Sequence, residues 1–374
     1  LWRIGQTCHV KHPGVWRSLV DMDPEARDDT TAQEIVQLMR SDIPAQRENQ
    51  LMVRAGVPYV ARLRRVPAPE PRTVSLHGDA SYLVTGGLKG IGYAISEWLV
   101  ERGARHLLLV GRTVLPARAA WGTLAEDDPA RELVARVERL ERRGATVHYA
   151  PVDVTDEAAM TAFFARAQRT APPIRGAVHC ASVWADPQGR SLVRPILQLN
   201  RDEIQAVMGP KAWGSYLLSR HLADQPLDFC FFPSSLVSLV GNVGQANYAA
   251  ANAFLDGLAW SMRAGGLAAT SINLGAISGA GFGATPQGQQ VHAYWERQGL
   301  KRISVEQLLH VMARLIPLPL AQITLTDTDW ARLEQAHPHF RQAWSEGLLP
   351  TLHQDTKEVP LMATTQPPAR RDAI

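Results

Sequence analysis

With 374 residues, 45% of them hydrophobic, the chain is long enough to bury one large core or two smaller ones without disulfides or metals. Its formal net charge of +3, without a long basic run, argues against nucleic acid and suits an acidic protein or a phosphate-bearing cofactor. No apolar run reaches the ~18 residues of a membrane span, and a signal-peptide pattern is absent, so we expect a cytoplasmic protein without a membrane partner.

The proline-rich residues 66–71 divide the chain and suit an extended linker. Before them, Thr31–Arg40 predicts a helix and Tyr59–Val66 an alternating strand. From Pro338 onward the periodic pattern fades. We therefore predict a small segment with its linker at 1–71, a main domain at 72–337 and an extension at 338–374, all excised from a longer chain.

After the linker, short apolar strands alternate with amphipathic helices. The predicted strands are Ser81–Thr85, His106–Gly111, Thr146–Ala150, Gly176–Ala181, Asp228–Pro233, Thr270–Leu274 and Gln322–Leu325. The predicted helices begin near Gly92 and continue with Arg131–Arg142, Glu157–Gln168, Asp202–Leu222 and Ala249–Arg263. Because the strands are uninterrupted apolar runs, they predict an α/β fold with a doubly wound parallel sheet, whose ligands bind beyond the carboxyl ends of the strands.

A glycine-rich turn follows the first of these strands and leads directly into a helix. Its glycines permit a tight turn, close approach of a pyrophosphate and close helix packing, and the helix N-terminus attracts phosphate. A plain structural loop is the alternative, but the position in the first βαβ unit favours a dinucleotide site. The predicted cofactor residues of this turn are Gly86, Leu88, Lys89, Gly90, Ile91 and Gly92.

Two later strand ends bear on the choice of cofactor. An acidic residue after the second strand would hold the ribose of NADH, but Arg112 stands there and can pair with the 2′-phosphate of NADPH, unless it is an ordinary surface arginine. After the third strand, Asp153 can accept a hydrogen bond from adenine, with Val154 beside the ring. The alternative for Asp153 is a helix N-cap, for which Thr155 and Asp156 also qualify.

The most informative stretch is residues 232–252, where a strand ending in serines precedes a glycine-bearing loop and a Tyr-Ala-Ala-Ala-Asn run. Together with the glycine turn, the serine thirteen residues before the tyrosine resembles the short-chain dehydrogenase/reductase superfamily, over roughly residues 81–325. Most of that superfamily has lysine four residues after the tyrosine. Here that position is Asn252, and Lys211 lies 24 residues before Ser235, an exchange that resembles the ketoreductases of modular polyketide synthases.

The resemblance implies four catalytic residues that act on one ketone oxygen. Tyr248 would donate the proton, Ser235 a hydrogen bond, and Lys211 would lower the pKa of Tyr248 and hold the ribose. Asn252 would position the lysine or a water. Taken singly, each also fits a structural role, as a core tyrosine, strand end, cap or solvated lysine, whereas the joint spacing favours the site.

The family resemblance also assigns the segment after the fourth strand, where Ala181 would pass beneath the nicotinamide ribose. Cys180 is interpreted as a packing residue beside it rather than a reactive thiol. Cys8 and Cys230 are widely spaced from it, which predicts reduced thiols and no metal site.

The resemblance thus implies a Rossmann-like, NADPH-dependent enzyme that reduces the 3-keto group of an acyl chain on the phosphopantetheine of an acyl carrier protein. Other domains of the same synthase would be partners, and residues 1–71 would end a smaller structural subdomain. A free-standing short-chain alcohol dehydrogenase and a catalytically silent ketoreductase are the alternatives. Ala185 and Val240 occupy the positions from which product handedness is read, and leave it open. Ser278–Arg302 resembles a lid, or else an irregular loop.

Overall fold

A computed structural model of the protein describes residues 19–25, 32–33, 35–36, 50–66, 75–316 and 318–337. Its strands are β1 Leu19–Asp21, β2 Gln50–Arg54, β3 Val57–Val60, β4 Ser81–Thr85, β5 His106–Gly111, β6 Thr146–Pro151, β7 Ile174–His179, β8 Phe229–Ser235, β9 Ala269–Leu274, β10 Ala276–Ser278, β11 Leu300–Ser304, β12 Gln322–Leu325 and β13 Asp327–Thr328. The α-helices with described boundaries are α1 Gly90–Glu101, α2 Arg131–Arg142, α3 Glu157–Thr170, α4 Arg201–Met208, α5 Gly214–Leu222, α6 Val237–Val240, α7 Ala246–Ala264, α8 Pro286–Arg297, α9 Val305–Leu315 and α10 Trp330–Ala336.

Seven strands form one parallel sheet in the order β12-β9-β8-β7-β4-β5-β6. Side chains of α1, α2 and α9 pack on one face of this sheet, and side chains of α3, α5 and α7 pack on the other. Strands β4 and β9 are buried along their whole length, because both faces are covered. The predicted doubly wound sheet is confirmed.

The strand order reverses at β4, which has β5 on one side and β7 on the other. In open α/β sheets this reversal opens a crevice at the carboxyl ends of the two diverging strands. The segments that follow β4 and β7 therefore line the place where a ligand is expected.

A separate three-stranded sheet, β1-β2-β3, forms before the linker. Ala55 and Gly56, with φ of 48° and 74°, make the tight turn between β2 and β3. The predicted strand Tyr59–Val66 is wrong in its bounds: β3 ends at Val60, because its partner strand supplies pairing only as far as Leu51. Of the predicted helix Thr31–Arg40, residues 32–33 and 35–36 are helical and the others lie outside the described residues.

Two predicted segments differ from a simple helix or loop. The predicted helix Asp202–Leu222 is interrupted by a π-helical turn, Gly209–Trp213, between α4 and α5. The proposed lid is regular in the structure, since it contains α8 and a 3₁₀ turn and is held at its two ends by the parallel pair β10 and β11. The domain boundaries at 71/72 and 337/338 stay predictions, and 338–374 lie outside the described residues.

Candidate active site

The glycine-rich turn connects β4 to α1 at the strand-order reversal. Gly86 and Gly90 have φ of 69° and 51°, a conformation that favours glycine. A Cβ on Gly92 would lie 2.3 Å from the carbonyl oxygen of Gly86, and one on Gly86 would lie 3.1 Å from the carbonyl carbon of Cys180. The turn therefore packs backbone against backbone at Gly86 and Gly92.

The N-terminus of α1 has the features of a phosphate site. Lys89 occupies the N-cap position without a capping side-chain hydrogen bond, and the first turn contains no acidic residue. The side chain of Leu88 is buried and that of Ile91 packs on the same core, so these two residues offer a ligand their backbone only. A diphosphate thus fits the predicted turn through its backbone N–H groups.

Two cations lie together at the carboxyl ends of β4 and β5. The Lys89 ammonium is 3.5 Å from the hydroxyl of Thr113, and Arg112 is the exposed residue immediately before that threonine. In the described part of the chain no carboxylate lies within ion-pair distance of Arg112. Both side chains are available to a phosphate group.

Asp153 and Val154 follow β6. The N-cap of α3 is Asp156, whose carboxylate accepts a hydrogen bond from the Ala159 N–H, so Asp153 does not cap that helix. Instead, Oδ1 of Asp153 accepts hydrogen bonds from the backbone N–H and the hydroxyl of Thr155, at 2.9 and 2.7 Å. The Val154 side chain is buried against the backbone of Gly214, so only its backbone can lie beside an adenine ring.

Lys211 lies in the π turn, a local irregularity that often marks functional sites. Its side chain is 5% exposed, and Nζ donates a hydrogen bond to the carbonyl oxygen of Pro233 at 2.9 Å. Burial lowers the pKa of Lys211 from 10.5 to about 8, while Cys180 and Asp256 act in the opposite direction. The ammonium therefore reaches the carboxyl end of β8, two residues before Ser235.

The predicted serine, tyrosine and asparagine come together where β8 meets α7. The phenol of Tyr248 interacts with the side chains of Asn252 and Ser235. Burial raises the pKa of Tyr248, and these two interactions oppose the rise. The opposing interactions come from Asn252 and Ser235, while the Lys211 ammonium donates to the Pro233 carbonyl, so the lowering of this pKa by Lys211 stays a prediction.

Asn252 has one satisfied and one unsatisfied group. Its Nδ2 donates to the carbonyl oxygen of Tyr248 at 2.8 Å, whereas the buried Oδ1 has no hydrogen-bond partner among the described residues. A buried acceptor without a donor is costly. This orphaned oxygen is compatible with the predicted role of Asn252 beside a water or an ammonium.

A buried polar network behind these residues was missed by the sequence analysis. The carboxylate of Asp256 accepts hydrogen bonds of 2.5 Å from Ser238 and from Ser271, and of 2.9 and 3.0 Å from Asn273. Asn273 also donates to Ser234 at 3.1 Å. A carboxylate four residues after Asn252, on the same face of the helix, is the signal that would have revealed it.

Cys180 and Ala181 pack against Gly86 of the glycine turn, and the position of Ala181 beneath the nicotinamide ribose stays a prediction. The Ala181 N–H donates to the hydroxyl of Thr85 at 3.2 Å. Burial raises the pKa values of Cys180 and Cys230 to about 12, so both remain thiols, and Cys8 lies outside the described residues.

The described residues lack two other kinds of feature. They contain no group of three or more histidine, cysteine, aspartate or glutamate side chains suited to a metal ion. Their helices include no apolar segment of membrane-spanning length.

Comparison with known families shows the family to which the chain belongs. The sequence profile of the family described as "KR domain" matches residues 80–279. The chain belongs to the ketoreductase domain family. This family uses a nicotinamide cofactor, which agrees with the glycine turn and its uncapped helix N-terminus.

The curated relatives of this ketoreductase are polyketide synthases. It is 34% identical over 296 residues to 6-methylsalicylic acid synthase of Penicillium terrestre, covering 76% of this chain and 16% of that protein. It is 36% identical over 316 residues to 5-methyl-1-naphthoate synthase of Streptomyces sahachiroi, covering 84% of this chain and 17% of that protein. The ketoreductase thus spans about a sixth of the length of these relatives.

Solved structures similar to this ketoreductase are also synthase domains. PlmKR1, a ketoreductase from the first module of phoslactomycin biosynthesis in Streptomyces sp. HK803, is 30% identical with a TM-score of 0.74, covering 90% of this chain and 71% of that one. An A-type ketoreductase from a modular polyketide synthase is 30% identical with a TM-score of 0.72, covering 90% and 65%. The ketoreductase fold predicted from sequence is confirmed.

Proposed function

We propose that this ketoreductase reduces the 3-keto group of an acyl chain on an acyl carrier protein to a 3-hydroxyl, with NADPH as reductant, as one domain of a cytoplasmic polyketide synthase. The observation that carries the proposal is the meeting of the Tyr248 phenol with Ser235 and Asn252 at the end of β8. The buried Lys211 ammonium reaches the same strand end. Hydride addition to a ketone requires such donors, because negative charge develops on the oxygen.

In this proposal the chain's own residues handle the ketone oxygen and its proton. The Tyr248 hydroxyl donates a proton to the oxygen as charge builds on it, and the Ser235 hydroxyl donates a hydrogen bond to the same atom. A raised pKa makes Tyr248 a weak acid, so a nearby cation is needed to stabilise the phenolate. Lys211 is that cation, and Asn252 offers its buried Oδ1 to the ammonium or to a water in the proton path.

The bound cofactor would supply the hydride, and its 2′-phosphate is the feature by which NADPH differs from NADH. Arg112 and Lys89 favour NADPH, since both are exposed cations at the carboxyl ends of β4 and β5. Gly86, Gly90 and Gly92 would hold the diphosphate through the backbone of the turn. Asp153, the Val154 backbone and Ala181 would complete the site on the adenine and ribose sides.

The carrier protein and the neighbouring synthase domains are proposed partners. Their support is the family of the chain and its relatives, which are several times longer than the matched region. The small net positive charge suits an acidic carrier. The whole synthase's product is a separate question, because the matched region is one domain of each relative.

The test is an assay of the purified chain with a 3-ketoacyl N-acetylcysteamine thioester and each nicotinamide cofactor. We expect oxidation of NADPH in preference to NADH, with one 3-hydroxyacyl thioester formed per cofactor oxidised, and chiral chromatography will assign the alcohol. Absence of turnover with both the free thioester and a carrier-bound 3-ketoacyl chain would support the catalytically silent alternative. Turnover of simple secondary alcohols at a higher kcat/KM would support the free-standing alcohol dehydrogenase.

A further inference from the structure

His179, the last residue of β7, is fully buried and both of its ring nitrogens have partners. Nδ1 lies 2.9 Å from the hydroxyl of Thr85, and Nε2 lies 2.9 Å from the carbonyl oxygen of Pro210. A carbonyl oxygen can only accept, so Nε2 carries the proton and Nδ1 accepts from the Thr85 hydroxyl. The contacts thus select one tautomer of the ring.

The ring stays neutral in this environment. Burial lowers the pKa of His179 to about 3, and the charge of Lys211 acts in the same direction. A neutral ring donates one hydrogen bond and accepts one, which matches its two partners. Both ring nitrogens of His179 are therefore hydrogen-bonded within the protein.

The two hydrogen-bond partners of His179 lie beside the glycine turn and beside Lys211. Thr85 is the last residue of β4, immediately before the glycine turn, and Pro210 immediately precedes Lys211 in the π turn. Pro210 has no N–H of its own, and a π-helical turn is a rare interruption of an α-helix. The His179 Nε2–H therefore adds an external hydrogen bond to this irregular turn.

We infer that His179 is a positioning residue, whose Nε2–H holds the Pro210 carbonyl so that the Lys211 ammonium reaches the carboxyl end of β8. The lysine side chain has four rotatable bonds, and a shift of the turn moves Nζ away from the Pro233 carbonyl. The Thr85 hydroxyl fixes the ring orientation. This inference rests on the proposed function for its kinetic consequence, but the position of Lys211 is measurable without turnover.

The test compares two neutral polar replacements of different length. In His179→Gln the amide nitrogen is separated from Cα by the same number of bonds as Nε2 of histidine, so it reaches the Pro210 carbonyl. In His179→Asn the amide nitrogen is only as far from Cα as Nδ1 of histidine, so it does not reach that carbonyl. We expect His179→Asn to lower kcat by about 100-fold, the typical cost of an ~1 Å displacement, and His179→Gln to retain most of the activity. KM for the thioester should stay unchanged in both.

A second measurement follows Lys211 directly. The chain has only five lysines, so [ε-13C]lysine labelling produces few NMR signals, and Lys211→Met identifies the signal of interest. In the wild type this signal should titrate near pH 8, because burial lowers the Lys211 pKa to about 8. In His179→Asn we expect it to titrate at higher pH as water reaches the loosened turn, while His179→Gln keeps the wild-type titration.

Val178→Ala is the matched control, since Val178 precedes His179 in β7 and its side chain packs on the opposite face of the sheet. It should lower the melting temperature without moving the Lys211 titration. Equal kcat and equal titration in the Gln and Asn variants would overturn the inference and leave His179 a core residue. If His179→Asn does not fold, Thr85→Val is measured instead. Loss of the Thr85 hydroxyl should shift the titration of the Lys211 signal, and an unshifted titration would overturn the inference. A wild-type chain without turnover refutes the proposed function, and the titration still tests His179.

Discussion

The glycine turn and the group of Lys211, Ser235, Tyr248 and Asn252 at the end of β8, called the cleft below, offer a ligand different kinds of interaction. The turn spans residues 86–92 of one continuous segment and works through backbone, because added Cβ atoms would collide with neighbouring carbonyl groups. The cleft takes its residues from three separate segments and contains a buried ammonium, a phenol with a raised pKa and, behind them, the Asp256 network.

Substitutions at the two places should therefore differ in kind. Substitutions in the turn should cause steric clashes or change the backbone conformation, and their effects should depend little on pH. Changes in the cleft should act through charge and hydrogen bonding, so their effects should depend on protonation states. Four substitutions test that separation, from the largest expected effect to the smallest.

Tyr248→Phe should abolish reduction of the ketone and leave cofactor binding at the glycine turn unchanged. Removing the proposed proton donor is expected to lower kcat by about 1,000-fold, while NADPH binding, measured by fluorescence titration, stays unchanged. Tyr82→Phe is the control, since Tyr82 is also buried and its hydroxyl accepts a hydrogen bond from the His77 N–H at 2.8 Å, away from the cleft. Similar kcat values for the Tyr248 variant and the wild type would refute the proton-donor assignment.

Lys211→Met should make the protein more stable and less active. Because the pKa of Lys211 is lowered from 10.5 to about 8, the buried charge costs about 3 kcal/mol at neutral pH. In the wild type this loss of folding stability is complete below pH 8. It decreases as the pH rises towards 10.5, because in that range the unfolded chain binds one more proton than the folded chain.

Urea unfolding of Lys211→Met at a series of pH values should therefore show a stability gain that shrinks at alkaline pH. Lys301→Met is the control, because Lys301 is exposed and paired with Asp327 at 3.4 Å. A gain that is absent, or that is the same at every pH, would contradict the assigned burial of the charge.

Arg112→Ala should weaken NADPH and leave NADH unaffected. Loss of a charge-assisted hydrogen bond to the 2′-phosphate is expected to raise KM for NADPH by about tenfold. Steady-state kinetics with both cofactors measure the change, which should diminish at high salt because the side chain is exposed. Arg142→Ala, at the opposite end of α2 from the cleft, is the control, and an equal effect on NADH would exclude phosphate recognition.

Gly257→Ala should produce the smallest change, a small gain in stability without a change in activity. Gly257 is exposed in α7 and an added Cβ meets no atom within 4 Å, so alanine should raise the free energy of unfolding by about 1 kcal/mol. Gly92→Ala is the contrast, because its Cβ would lie 2.3 Å from the Gly86 carbonyl oxygen and should weaken both folding and cofactor binding. Thermal unfolding of the two variants, with kcat for Gly257→Ala unchanged, checks the comparison.

Much of the fold could be predicted because its determinants are local. The apolar runs of β4, β5 and β9 were found with their bounds correct to within a residue, since buried parallel strands are continuous hydrophobic segments. Helix α9 was missed although Ser304 and Gln307 form a capping box at its start. The strand predicted at Tyr59–Val66 failed at its end because pairing, rather than alternation, decides where a strand stops.

The site was only partly predictable, because many of its interactions join residues that are distant in sequence. The family resemblance singled out Ser235, Tyr248, Asn252 and Lys211, and the structure brings the first three together. The raised pKa of Tyr248 could not be predicted, because desolvation depends on neighbours that are distant in sequence. The hydrogen bonds of His179 and the Asp256 network were likewise invisible, since their partners lie 15 to 94 residues away.

By itself the sequence determined the parallel α/β architecture and the glycine turn, because periodicity is a property of the chain alone, and its resemblance to a known family implied the four candidate catalytic residues. Only the tertiary structure decided which groups are deprived of water and which carbonyls and hydroxyls face them. Protonation and orientation depend on that environment, so the charge state of Lys211, the tautomer of His179 and the acidity of Tyr248 arise only after the sheet and its helices have packed.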